Sequence, residues 1–407
     1  MSGELSIPLD IIEVIIDNLA TIDDLSHTSL WACARACRYL LHRCRRHIFS
    51  SIALDANHSY LTRQRRKHSP HQIIKLLNRA PEIAIYVRKV NFGVCHSRSD
   101  SLPKYQELSE ILRRFTQVQH LTIESNCRSF VGWNEVANCL QDALFDMLHL
   151  PNLTYLSLCS LHEFPISNLT HCSNLRALFV EDVTPASYTL PPTSIQSIAL
   201  IEYSGGPGSS VFTDNIIKMT DFKNRPLFDF RDLSKYVAQC NCIEDVEIIR
   251  QILKTTTQLQ HIDLHVKYPC NYGQFSEVLF QSPKSLRKMI IRRCLHDRHS
   301  DPLNDLPHQL IVMRDRPNIL EELEIYVHIN VDVELAPNNQ WNELDKVFNP
   351  PGWSCLKIAS INIFTGIYWK VTLRKLVWTP QLPILLASKN IAYELFVNNI
   401  KTNTVPS

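Results

Sequence analysis

Along most of the chain apolar residues recur in one short pattern, apolar-x-x-apolar-x-apolar, but the first fifty residues follow a longer, helical period. From Pro8 to Leu19 the apolar positions are Leu9, Ile11, Ile12, Ile15, Ile16 and Leu19, close to the i, i+3, i+4, i+7 spacing of an amphipathic helix. Pro8 suits a first turn, where its missing N–H costs little, and Asp10 and Glu13 suit the positive end of the helix dipole. Thr21 to Leu25 supplies residues able to cap. Leu30, Trp31, Ala34, Cys37, Tyr39, Leu40 and Leu41 then resume the period, which predicts a second and a third helix. Helices this short cannot enclose so many apolar side chains among themselves, so part of their surface is expected to need a partner.

The shorter pattern appears at Val87/Val90/Phe92, Val118/Leu121/Ile123, Leu153/Leu156/Leu158, Leu175/Leu178/Val180, Ile195/Ile198/Leu200, Leu259/Ile262/Leu264, Leu286/Met289/Ile291, Leu320/Leu323/Ile325 and Ile358/Ile361/Ile363. Turn-forming lead-ins such as Leu150-Pro151-Asn152 and Arg316-Pro317-Asn318 announce several copies. A turn followed by a short strand, repeated at intervals of roughly 20 to 38 residues, is the pattern of a leucine-rich-repeat solenoid. Between the strands, Gln72 to Leu77, Tyr105 to Phe115, Val136 to Leu148, Leu233 to Ala238 and Asp245 to Leu253 carry helical spacing and are expected to form a convex layer. The gap from Leu200 to Leu259 has room for two repeats, with a strand expected near Leu227 to Phe230. The predicted fold class is therefore α/β: a three-helix N-terminus followed by a leucine-rich-repeat-like solenoid, parallel strands on its concave face and helices outside. The expected domains are 1–50, a basic linker with a first helix over 51–80, and the solenoid over 81–400.

The chain has 407 residues, 45% of them hydrophobic, enough for a large core, and its net charge of +2 gives no general attraction to nucleic acid or membrane. Charge is uneven locally. Residues 1–34 hold six acids and no Lys or Arg, whereas Arg35 to Lys67 holds nine basic residues against Asp55 alone. Thirteen irregularly spaced cysteines do not form a disulfide framework. With no apolar run long enough to span a bilayer and no secretory leader at the acidic N-terminus, a cytoplasmic or nuclear location is expected.

The stretch from Ile7 to Phe49 resembles the F-box of fungal F-box proteins, at Ile7-Pro8, Asp10-Ile11, Ile15-Ile16, Leu25, Cys37-Arg38 and Ile48-Phe49. It departs from that pattern at Ile7, where Leu is usual, at Asp10, where Glu is usual, and at Tyr39-Leu40 after the Arg. PEIAIYVRKVNF from Pro81, WNELDKVF from Trp341 and LPILLASKNI from Leu382 are similar to segments of fungal F-box families with leucine-rich-like C-terminal regions. The resemblance implies docking on a Skp-type adaptor and, through it, a cullin-RING ubiquitin ligase. By that likeness Pro8, Leu9, Ile11, Ile12, Ile15, Ile16 and Leu25 supply the apolar contact, a helical face laid against a groove.

If the strands stack as expected, the alternate positions facing the concave side include Tyr155, Phe179, His261, Asp263, Lys288, Arg292, Glu322 and Glu324, candidates for holding a target protein. Lys288 and Arg292 lie one repeat before Glu322 and Glu324, which predicts adjacent patches of opposite sign. No catalytic site and no cofactor requirement is legible. Cys33, Cys37, His42, Cys44 and His47 cluster without the paired spacing of a zinc site, and the Gly205–Ser210 stretch lacks the Lys of a phosphate loop. Arg63 to Lys67 reads as a solvated linker, with nuclear localisation or phosphate contact as the sharper alternatives. The function expected is a non-catalytic substrate receptor that brings an unknown protein target to a ubiquitin ligase. A scaffold whose F-box works outside any ligase is the rival reading, and a nucleic-acid binder through Arg35 to Lys67 the remoter one.

Overall fold

The computed structural model describes residues 8–22, 27–55, 70–95, 102–125, 131–186, 196–198, 200–204, 209–220, 225–267, 285–295, 303, 306–315, 317–329, 339–348, 353–365, 392–397 and 400–403. Two units are present, Met1–Gln196 with Asp221–Lys223, and Ser197–Thr220 with Asn224–Ser407. Each has parallel β-strands alternating with helices, which makes the protein α/β.

The first unit begins with α1 (Leu9–Ile22), α2 (Thr28–Ala36) and α3 (Arg38–Ile48). The Pro8 carbonyl accepts the Ile12 N–H at 3.2 Å, so the proline stands at the helix start, where its lost donor has no cost. Cys37, extended at φ −148°, ends α2 and begins α3 in a single residue. Ile16, Leu30, Ala34, Cys44 and Ile48 form the bundle core, with Leu19, Ala20, Cys33, Leu40, Leu41 and Phe49 packed around them.

A sheet follows: β1 (Ser51–Asp55), α4 (Pro70–Arg79), β2 (Lys89–Val94), α5 (Leu102–Arg114), β3 (His120–Ser125), β4 (Val131–Gly132), α6 (Asn138–Leu148), β5 (Tyr155–Phe164) and β6 (Ala177–Pro185). Its order is β1-β2-β3-β5-β6, all parallel, with β4 against the far end of β5. The apolar pattern sets the register. Ile52, Val90, Leu121, Leu156 and Leu178 form one row across the strands and Leu54, Phe92, Ile123, Leu158 and Val180 the next, all buried. Strands β2, β3, β5 and β6 open in the same way, with two consecutive N–H groups sharing one carbonyl: Arg88 and Lys89 on Ser50, Gln119 and His120 on Arg88, Thr154 and Tyr155 on Gln119, Arg176 and Ala177 on Thr154. β1 falls in the span expected to be linker. Its Phe49-x-x-Ile52-x-Leu54 is a further copy of the pattern, obscured because it directly continues the helical segment.

Ser160 and Asp182 stand opposite each other, between the pairs Cys159↔Glu181 and Leu161↔Val183, and both adopt positive φ, 54° and 52°. A left-handed residue inserted at the same place in adjacent strands turns both and sends Leu161 and Val183 back into the core.

The chain passes from one unit to the other within β7 (Gln196–Ser197). The second unit holds β8 (Leu200–Ser204), α7 (Ser209–Lys218), β9 (Phe228–Asp229), β10 (Lys235–Cys240), α8 (Ile243–Thr255), β11 (His261–Lys267), β12 (Lys288–Leu295), α9 (Leu306–Arg314), β13 (Glu322–Ile329), α10 (Asn339–Val347), β14 (Ile358–Thr365), β15 (Ala392–Val397) and β16 (Ile400–Asn403). The order β8-β10-β11-β12-β13-β14-β15 is parallel throughout, and β16 closes it antiparallel to β15. The shared-carbonyl start recurs on Ser234, Gln260, Arg287 and Glu321.

Three sequence expectations are corrected here. Leu233 to Ala238 is not helical: Lys235–Cys240 is a repeat strand, its pattern Leu233/Tyr236/Ala238 masked by a tyrosine and an alanine, while the strand expected near Leu227 to Phe230 is present as the two-residue β9, outside the order of the main sheet. The register Tyr236↔Ile201 moves the fifth copy three residues on, so that Ile198 and Ile201 are its buried positions. The last copy is Leu356/Ala359/Ile361, because Leu323 pairs with Ala359 and Ile358 is 40% exposed on the opposite face.

Candidate functional site

Two surfaces carry chemistry, one in each unit. On α1 the apolar residues divide into two stripes. Ile16 and Leu19 pack into the bundle and Ile12 is half-buried, while Ile11, Val14, Ile15 and Ile22, at the i, i+3, i+4, i+11 spacing of one helix face, turn outward. The outward side chains are well exposed, Val14 at 58% and Ile22 at 78%. Of the residues expected to contact an adaptor, Pro8, Leu9, Ile11 and Ile15 are exposed and Ile12 is half-buried. Ile16, at 1% exposure, belongs to the bundle core and offers no contact surface. Leu25 lies outside the described residues. Val14, Ile22, Trp31 and Tyr39 are exposed members that spacing alone did not single out; Trp31 packs edge-on against Phe49 with ring centroids 5.9 Å apart.

Polar contacts fix the remaining flank of α1. Arg43 reaches back from α3, its Nε 2.8 Å from Asp17 Oδ1, its Nη2 on Asp17 Oδ2 and its Nη1 3.3 Å from Glu13. His47 Nε2 lies 2.7 Å from Asp17 Oδ1. The Arg43 hydrogen bond, with His47 adding to it, outweighs partial burial and pulls the Asp17 carboxyl from its ordinary 3.8 down to about 2. A folded pKa below the unfolded one contributes stability above pH ~4 that is lost as pH falls toward 2. The urea midpoint is therefore expected to decline over that window in the wild type and to decline less steeply in Asp17→Asn, a comparison made by circular dichroism at a series of pH values.

The second surface is one face of the β11–β14 sheet. Register places His261, Lys288 and Glu322 in one row, Asp263, Ile290 and Glu324 in the next, then His265, Arg292 and Tyr326. Arg292 grips Asp263 with two nitrogens, Nε at 3.0 and 3.2 Å and Nη2 at 3.0 Å, and lies over the Tyr326 ring, 4.5 Å from its centroid. Lys288 Nζ bonds Glu322 at 2.8 Å and Glu324 at 2.5 Å, and the Tyr326 hydroxyl donates to Glu324 at 2.6 Å. Burial works to raise the Glu324 carboxyl, but its bonds from Lys288 and Tyr326 prevail and hold it below its ordinary value. Tyr326 is pushed up to about 12 by burial and by Glu324.

The structure thus brings together the six candidates His261, Asp263, Lys288, Arg292, Glu322 and Glu324. It does not leave them as patches of opposite sign, because Lys288 and Arg292 are each neutralised by carboxylates across the strands. Burial first, and then Lys235 and Lys288, depress the proton affinity of His261. Tyr326, His328 and Phe364 are additional members of this face, legible only by carrying strand alternation past the third apolar position. In the first unit, Tyr155 stacks on His120 at 5.3 Å and Phe179 stands half-buried on the same sheet face. No group of three or more His, Cys, Asp or Glu among the described residues is placed to hold a metal ion. None of the described helices is long and apolar enough to cross a membrane. Arg63 to Lys67, Gly205 to Gly208 and Leu382 to Ile391 lie outside the described residues.

No known family model and no curated protein matches this chain.

Proposed function

We propose that the chain is a substrate-receptor subunit of a cullin-RING ubiquitin ligase, its N-terminal helices acting as an F-box on a Skp-type adaptor and its repeated strands, as a leucine-rich-repeat-like solenoid, holding a target protein. The observation that carries this reading is the outward stripe of α1. A helix apolar on both faces, with only one face served by its own bundle, leaves an apolar surface that water disfavours and a partner groove accepts. The stripe falls in the stretch whose sequence resembles an F-box. Support for the solenoid comes from eight strands that start alike, with two N–H groups on one carbonyl, and from the common register of the parallel strands within each unit.

The mechanism is proximity. Held beside a charged ubiquitin-conjugating enzyme, a target's lysines reach a high effective concentration without any chemistry by the receptor. Affinity capture of the full chain from cells is expected to bring down a Skp-type adaptor together with a cullin, and removal of residues 1–50 to lose both while target capture persists. Capture of the adaptor with no cullin would favour the scaffold reading.

A further inference from the structure

We propose that the β11–β14 face of the second unit takes an uncharged, unphosphorylated stretch of a target protein, anchored by an aromatic side chain on the stack of Tyr326, Phe364 and His328. This rests on the receptor reading above and specifies the chemistry of what is received.

The first support is that each of these charged groups already has an ion partner, three carboxylates being held by two cations. Asp263 is held by two nitrogens of Arg292, and its side chain is only 10% exposed. A phosphate seeking Arg292 must displace that carboxylate and leave it enclosed with only His265 Nε2, 3.5 Å away, beside it, which opposes binding. Lys288 is occupied by two glutamates at 2.8 and 2.5 Å, so a basic segment seeking those glutamates must likewise evict a cation. Paired ions of this kind fix the floor of a site and set its specificity; with each already engaged, they offer a charged ligand no open partner.

The second support is what remains once the ions are paired. Phe364 stands parallel to His328, centroids 4.7 Å apart and planes 10° off, and parallel to Tyr326 at 6.0 Å and 8°. The Arg292 guanidinium covers the Tyr326 ring. All three rings are half-buried. Burial, then the nearby Arg292, lowers the proton affinity of His328, so its imidazole is a neutral ring at pH 7. Rings held by their neighbours lose little freedom when another ring packs on them, which is why aromatic pairs serve as interface anchors.

The test uses the full-length chain and a display library of short random peptides. Enriched peptides are expected to share an aromatic residue. Their affinity should change by less than about 3-fold between about 50 and about 500 mM NaCl. Placing phosphoserine beside the aromatic residue should not tighten binding. Phe364→Leu and His328→Ala, each checked for an unchanged urea midpoint, should weaken it by at least about 10-fold. Enrichment of acidic, phosphorylated or basic peptides with steep salt dependence would overturn the proposal, as would no enrichment or undiminished binding by the folded His328→Ala protein. Adaptor binding is measured on the same preparations. Its loss with peptide binding intact would remove the receptor reading and leave the platform standing, whereas adaptor binding without peptide binding would do the reverse.

Discussion

Replacing Ile11 and Ile15 by aspartate together is expected to lower affinity for a Skp-type adaptor by at least about 100-fold while leaving the urea midpoint of the chain unchanged. Both side chains are about half exposed, 48% and 47%, on the outer stripe of α1, so the substitutions remove nothing from the bundle core. In a complex they would bury two carboxylates against an apolar groove with no cation to receive them. Truncation of a central apolar anchor costs about 2–4 kcal/mol in protein interfaces, and an unpaired buried charge adds to that. Equilibrium titration of purified proteins reads the loss. Ile16→Ala provides the contrast: that side chain packs against Leu30, Ala34, Cys44 and Ile48, so its truncation should lower stability first and binding only through it. Equal adaptor affinity in the double aspartate protein would remove the docking surface proposed here.

Phe92→Ala is expected to destabilise the first unit by about 3–5 kcal/mol, the range for emptying a large aromatic site in a packed core. Phe92 is among the largest fully enclosed side chains of the molecule, and its row neighbours Leu54 and Ile123 are also at 0% exposure. Parallel strands paired in register on both sides cannot close readily around the missing ring, so the cost should lie toward the upper end. Urea unfolding read by circular dichroism would show an earlier midpoint for the transition of that unit. A shift worth less than about 1 kcal/mol would mean that the row is not packed as described.

Both surfaces were partly legible in the sequence, and the missing parts share physical causes. The repeat pattern stood out wherever Leu, Ile or Val filled all three positions, because those residues have few roles in a short strand other than burial. It was hidden at Tyr236 and Ala238, and at Ala359, where residues of ambiguous preference hold the inward places. Ile358, Ile361 and Ile363 fit the pattern two residues late, a shift that keeps the same face inward, because an alanine fills the inward place at 359 and Ile358, on the other face, mimics the first apolar position. On α1 the same ambiguity recurs. Isoleucines on two faces cannot be divided into core and surface until α3 is in place, and only then does Ile16 part from Ile11 and Ile15. The ion pairs of the second unit were legible only as adjacent charges of opposite sign: Asp263 and Arg292, and Lys288 and Glu322, are 29 and 34 residues apart, and which group meets which is set by the strand register and the side-chain reach. The paired carbonyl starts of the strands are backbone features with no side-chain signature.

The central claim, that the outer stripe of α1 is an adaptor-docking surface, is tested most directly by hydrogen exchange on the full chain with and without saturating Skp-type adaptor. The account predicts a 1:1 complex in which amides of Leu9–Ile22 exchange at least about 10-fold more slowly while those of β11–β14 are unchanged. A complex that leaves Leu9–Ile22 exchanging at the free rate, or no complex at micromolar concentrations, would contradict it.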